Sequence, residues 1–561
     1  MDFQRYLLIA AIAALSFMLL TNWVQFKEQR NDVVASYHQE QQQTAIEETS
    51  SIEENFPDTT HSVELDDLPS VDKQAIAKPS VAVHIDKIHV RTDTLEIDIN
   101  TRGGDIIFVA LPKHYDKIDT PDVPFTLLEQ SDVRTYIAQS GLIGVNGIDT
   151  SNGRAQFTSS VSEYVLADGE DNLVIDLNHT TNQQVSITKR FHFTRGAYLI
   201  DIEYVIENNS NQPWSAGMFG QLKRDNSPDP TAESSGMGLA PYLGTAINLP
   251  DEPYKKLSFD DIAEKKFPKQ KIDGGWIAMV QHYFTSAWIP DPDKTHTYSA
   301  VSSRYNTNII RFTSPQITVN PGSTGSVKAQ FYAGPKDQYR LQEISPGLEL
   351  TVDYGWLWWI AQPLFWLLTK LYGLLGNWGF AIIAVTMLVK AAFVQLNAKA
   401  YTSMANMRKV QPKLVALRER YADDKQKQSQ EMMNLYKKEK INPLGGCLPI
   451  LVQMPVFISL YWVLMESVEL RHAPFIGYIK DLSVMDPYFI LPLIMGVSMF
   501  VQQKLNPPPP DPMQAKVMQW MPVMFTFFFL FFPAGLVLYW VVNNTLSIIQ
   551  QYIITKRIEN T

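Results

Sequence analysis

Lys390 lies inside the apolar run Trp378–Leu396, twelve residues after its start and six before its end. At about 1.5 Å of helical rise per residue, the ammonium sits roughly 9 Å from one end of the stretch. A cation at the bilayer centre costs about 2.5–3.5 kcal/mol on insertion scales, so it should face protein or water rather than lipid. Other polar residues punctuate the apolar stretches: Thr386 one turn earlier, then Asn397, Gln453, Gln519, Asn543, Asn544 and Ser547. Spread over several stretches, they can line one hydrophilic cavity around the lysine. The competing reading is a lysine that snorkels its ammonium to the headgroups.

Covalent chemistry has little to work with. The one cysteine, Cys447, excludes intrachain disulfides and any Cys-based zinc cluster. His84, His89, His114, His179, His192, His282 and His296 lack metal-ligand spacing, and no Ser/His/Asp arrangement stands out. They read as solvated histidines on strand faces. The residues point away from an enzyme and call for no cofactor and no metal.

The elements that must position Lys390 belong to one of two unlike halves. The 561 residues are too many for a single core. Residues 1–350 carry a net charge of −17 and residues 351–561 a net of +7, which together give the overall −10. An acidic N-terminal half argues against nucleic acid, DNA included, as its partner. Tyr6–Trp23 is an apolar run about long enough to span a bilayer. No small-residue cleavage site follows it, so residues 1–26 are expected to be an uncleaved transmembrane anchor rather than a signal peptide. Residues 28–72 hold 12 acids and one base, so 27–79 should be an acidic disordered linker. Over 80–345 the pattern turns to period two, as in Val81, Val83, Ile85 and Leu95, Ile97, Ile99, which predicts a β-sandwich domain.

The segment 346–376 crowds Trp356, Trp358, Trp359 and Trp366 around Gln362 and Lys370, with Pro363 interrupting it. It is expected to be an amphipathic helix lying in the membrane interface. Residues 377–561 then supply five apolar stretches: Trp378–Leu396, Gly445–Leu464, Pro487–Val501, Val517–Phe532 and Leu536–Ile554. Between 395 and 440 there are 11 Lys and Arg, against two in 466–486. Positive-inside counting puts 395–440 in the cytoplasm and 466–486 outside. The predicted fold is a polytopic α-helical membrane protein with six transmembrane helices, both termini inside, and an all-β sandwich domain outside. The hairpin 399–440 breaks at Asp423-Asp424 and carries Met404, Met407, Val410, Leu414, Leu417 and Tyr421 as one helical stripe. That stripe can pack on the returning helix through Met432, Met433 and Tyr436 and, on another face, present a pliable Met-rich surface to apolar partners.

The string Asn442-Pro443-Leu444-Gly445-Gly446-Cys447-Leu448-Pro449, followed by Gln453-Met454-Pro455-Val456-Phe457, resembles the third transmembrane helix of the YidC membrane-protein insertases. Tyr401-Thr402-Ser403-Met404, Asp423-Asp424-Lys425-Gln426, Ser467-Val468-Glu469-Leu470-Arg471 and Gly535-Leu536-Val537-Leu538-Tyr539 match the same family in order. The resemblance covers about 350–555 densely, and the anchor with the outer domain fits the longer Gram-negative form. It implies a membrane-protein insertase and chaperone of the bacterial inner membrane, working alone or with the Sec translocon, with the β-sandwich periplasmic. It also implies an inner-leaflet groove holding a cation, here lined by Lys390, Thr386, Gln453, Gln519, Asn543 and Trp540. The family's positive residue is an arginine; lysine at this place is a departure, because a desolvated lysine can lose its proton. A hydrophobic slide is implied at Met454, Phe457, Ile458, Phe525 and Phe528. The implied partners are nascent membrane proteins, the Sec translocon with its accessory subunits, the lipid bilayer, and the ribosome or targeting factors at the cytoplasmic hairpin. Two other readings stay open: a secondary transporter using Lys390, and a sugar enzyme in the β-domain.

Overall fold

The structure, a computed structural model, describes residues 86–150, 153–231, 241–303, 307–421, 424–439, 448–506 and 512–559. The expected anchor and acidic linker, together with Asp423 and Gly445–Cys447, lie outside the described residues. The chain divides into two compact units, of which the hairpin residues 410–441 belong to one and 63–409 with 442–561 to the other.

Alternation of β-branched and aromatic residues with polar ones folds the described residues of 87–335 into two sheets, of eleven and eight strands. In Val185–Thr194 the side chains of Val185, Ile187, Phe191 and Phe193 all turn inward. The larger sheet centres on Trp214–Asp225, paired antiparallel with Thr135–Ile143 and Thr307–Thr313. The smaller centres on Ser323–Pro335, between Phe284–Pro290 and Leu199–Asn208. The shared core buries Trp214, Trp276 and Trp288 almost completely, and each large side chain so buried contributes about 1.5–3 kcal/mol.

Three side chains break the pattern. Lys189 occupies an inward position, and its ammonium satisfies all three donors on the carbonyls of Gly103, Gly104 and Ser140 at 3.0, 2.7 and 3.3 Å. Burial pushes its pKa down to about 7. His282 and His296 are fully buried rather than solvated, each with Nε2 on a carbonyl, of Met465 and Asp291 respectively. Of the expected strand-face histidines, His89 and His192 do reach solvent.

Two short helices decorate the sandwich: α1 (Phe259–Ala263), closed by a capping box between Ser258 and Asp261, and α2 (Gln338–Ile344), capped by Asp337. The expected interfacial helix begins later than 346. Two 3₁₀ turns, Leu348–Thr351 and Gly355–Leu357, lead into α3 (Trp358–Leu375), which Gly376 ends at φ +64°. Pro363 does not interrupt it. Ala361, Leu364, Phe365 and Leu368 face inward, while Trp358, Trp359 and Trp366 stay more than half exposed.

The remaining helices are α4 (Trp378–Ala392), α5 (Val394–Arg420), α6 (Lys425–Lys438), α7 (Leu448–Glu466), α8 (Ile490–Leu505), α9 (Pro512–Phe529) and α10 (Ala534–Glu559). The apolar stretch expected over 378–396 is broken at Phe393, where α4 and α5 meet at 67°. Among the described residues no single helix is long and apolar enough to cross a membrane; the bent pair α4–α5 meets that requirement by length and composition only. α8 and α9 approach closely at Gly496, where a Cβ would collide with Thr526 Oγ1.

Candidate functional site

Lys390 points from the last turn of α4 into the helical core and is 8% exposed. Its ammonium donates to Asn543 Oδ1 of α10 at 3.0 Å and to Gln453 Oε1 of α7 at 3.5 Å. Both acceptors are neutral amides. No carboxylate pairs with Lys390 among the described residues, and one of its three donors has no partner in either amide. Gln453 in turn donates from Nε2 to Asn397 Oδ1 at 3.5 Å, and Asn397 is completely buried. Three helices therefore converge on one ammonium, with a fourth, α5, contributing Asn397 just beyond the bend. The bend itself is met by α10: Gln550 Nε2 donates to Val394 O at 2.9 Å.

The other residues expected around the cation are distributed differently. Thr386 is buried one turn earlier, with its hydroxyl spent on Ile382 O at 2.7 Å. Gln519 stands exposed on α9 and takes no part in the hydrogen bonds of Lys390. Trp540 joins the apolar side instead, packing edge-on against Phe457 at 4.6 Å and against Phe529 at 5.5 Å. Among the described residues its buried indole Nε1 finds no acceptor.

Those contacts build a second surface. Met454 is 41% exposed on α7, and Phe457 and Ile458 are half-buried below it. On α9, Phe525 stacks on Phe529 at 6.2 Å, and Phe528 lies 5.9 Å from Phe529. Trp540 and Phe529 bridge the α7 and α9 rows into one aromatic band. On the opposite side α9 exposes Trp520, Val523, Met524 and Phe527 at helical spacing.

In the hairpin unit, Leu414 and Met432 are buried and Met433 is 53% exposed. Asp424 caps α6 by accepting from Lys427 N at 2.9 Å, and Lys413 pairs with Glu439 at 2.7 Å. Met404 and Met407, earlier on α5, are half-buried. Asn397, expected from the sequence only as one of several polar residues able to line a cavity, joins the Lys390 network through Gln453, a link that no periodic signal marks.

Residues 87–367 match the family described as the YidC periplasmic domain, and residues 370–561 match the family described as 60Kd inner membrane protein. The chain is 54% identical over 565 residues to the membrane protein insertase YidC of Cellvibrio japonicus, covering 100% of this chain and 99% of that one. It is 52% identical over 564 residues to the YidC insertase of Stutzerimonas stutzeri, with the same coverage. A crystal structure of an active YidC insertase with its first transmembrane domain resolved is similar over 87% of this chain and 95% of that one, at 17% identity and a TM-score of 0.38.

Proposed function

The chain belongs to the YidC family of membrane protein insertases, which are not enzymes, and on that premise we propose how its residues carry out insertion. Lys390, Gln453 and Asn543 form the polar receiving point for the flank of a nascent membrane protein. The aromatic band of Phe457, Phe525, Phe528 and Trp540, with Met454 and Ile458, receives its hydrophobic segment. The observation that carries this reading is the buried ammonium held by two neutral amides and no carboxylate. A buried charge without a counter-ion is an unfilled electrostatic demand. An acidic or polar client flank meets it, whereas a paired lysine would have no reason to bind one.

No nucleotide or covalent step is needed. Moving the client's apolar helix into lipid gains about 25 cal/mol per Å² of surface removed from water. The polar point lowers the barrier by giving the hydrophilic flank somewhere to reside until it crosses. In this reading α4 with the start of α5, α7, α8, α9 and α10, each with an apolar stretch short for a span, cross the inner membrane where the bilayer thins around them, and the exposed tryptophans of α3 lie at its periplasmic interface. The sandwich is periplasmic, and both termini and the hairpin are cytoplasmic. The insertase works alone or with the Sec translocon and its accessory subunits, and the hairpin meets ribosomes or targeting factors. Reconstitution in liposomes tests the proposal: the protein should drive insertion of a short client with an acidic flank and pass no small solute. Solute flux without client insertion would contradict it and favour a transporter.

A further inference from the structure

α7 carries Met454, Phe457 and Ile458, and its C-terminal end is built into the β-sandwich rather than resting beside it. Glu466, the last residue of the helix, forms an ion pair with Lys336 at 2.8 Å, with side chains 4% and 2% exposed. Lys336 directly follows the long strand Ser323–Pro335 and precedes the cap of α2. One residue back, Met465 O accepts from His282 Nε2 at 2.8 Å, and the His282 backbone N–H is fixed on Asp229 Oδ2 at 2.7 Å. Past the helix, Val468 joins the hydrophobic core of the sandwich. Arg471 donates to the carbonyls of Tyr115 and Asp116 at 2.8 and 2.7 Å, and its guanidinium lies over the rings of Phe125 and Phe284. Next to it, His472 stacks on Tyr115 at 4.4 Å.

The geometry points to a seat in which the sandwich grips the outer end of α7 and sets where its client-facing residues stand, with Lys336 and Glu466 as positioning residues. This rests on the reading of α7 as part of the client path. Apolar contacts at Val468 would hold the loop but tolerate sliding. A buried ion pair does not, because each charge is stable only opposite the other. Leverage makes the position matter. Met454 is twelve residues from Glu466, roughly 18 Å along the helix, so a tilt of about 10° at the seat moves it by roughly 3 Å.

The test uses the full-length protein in membranes, with spin labels at Lys328 on the last strand and at Met454 in a Cys447→Ser background, and photo-crosslinking of a stalled client from Phe457 and Phe525. Lys336→Met and Glu466→Gln should broaden the label distance and lower the Phe457-to-Phe525 crosslink ratio by about fivefold. The reversed pair, Lys336→Glu with Glu466→Lys, should restore both. Because a single unpaired charge can lower abundance, the apolar pair Lys336→Met with Glu466→Leu supplies a folded comparison, and it too should shift the distance. Wild-type distances in the apolar pair would overturn the seat. Altered distances with an unchanged crosslink ratio would overturn its role in positioning α7 for clients, leaving the Lys390 reading untouched. If the unsubstituted protein gave no client crosslink from either position, the client path itself would fail and this proposal with it.

Discussion

A single ammonium carries the chemistry, so its charge is the first thing to vary. At an effective dielectric of about 20, unit charges about 4 Å apart attract by about 4 kcal/mol, and desolvation cancels part of that. Lys390→Arg should keep insertion, since the cation stays, although a planar fork must share the Asn543 and Gln453 oxygens differently. Lys390→Glu should impair clients with acidic flanks most; equal insertion of acidic and neutral clients by that variant would refute the charge role. Lys390 is legible in the sequence because a cation in an apolar run has few explanations, and Gln453 and Asn543 are legible for the same reason. Gln519 has the same composition signal but faces away, which only packing decides. Glu469 is invisible to such reasoning. Enclosure of its carboxylate, with the Asp337 carboxylate nearby, raises its pKa to about 7 against the opposing hydrogen bond from its own backbone N–H. The folded state therefore holds this proton more tightly than the unfolded chain, and stability is lost as pH rises from about 4.5 to about 7. Glu469→Gln should remove that loss. Its thermal stability relative to the unsubstituted protein should improve by up to about 3 kcal/mol between pH 4.5 and pH 7.5.

At the scale of elements, helix positions follow the apolar runs closely, yet the most consequential feature, the 67° bend at Phe393, has no sequence marker. Neither proline nor glycine stands between Lys390 and Ala398. The bend is held from outside, by Gln550 on the carbonyl of Val394 and by Asn397 buried just beyond it. Pro363, by contrast, looks like a breaker and sits inside α3 without breaking it. The hairpin stripe divides by burial: Val410 and Leu414 are enclosed, while Met404 and Met407 keep part of their surface open. Leu414→Ala should therefore lower abundance, with a packing loss of about 2–5 kcal/mol. Met404→Gln with Met407→Gln should leave abundance unchanged and reduce early client crosslinking, because partly exposed thioethers are replaced without opening a cavity. Measuring both on the same membranes separates the roles, and a parallel decline would remove support for client contact by the methionine pair.

On the scale of the whole molecule, the charge split and the switch from period two to long apolar runs reveal two architectures, but they misstate how separate these are. Composition suggests a detachable outer domain. The structure instead buries Val468 in the sandwich core and pairs Lys336 with Glu466 across 130 positions, a relation no local pattern encodes. Removing residues 87–320 should leave measurable Sec-independent insertion, since the Lys390 network lies wholly within 386–551, but abundance and rate should both fall as Arg471 and Val468 lose their partners. Complete loss of insertion by a truncated protein still present at normal level would show that the sandwich does more than seat α7. In the proposed path a client passes between the polar point at Lys390 and the aromatic band. Site-specific crosslinking of a ribosome-stalled client tests it most directly. Crosslinks are expected from Gln453 and Asn543 to the client's polar flank, from Phe457 and Phe525 to its hydrophobic segment, and only a few from Val523 or Phe527 on the opposite side of α9. Crosslinks spread evenly over both sides of α9, with none from Gln453 or Asn543, would contradict it.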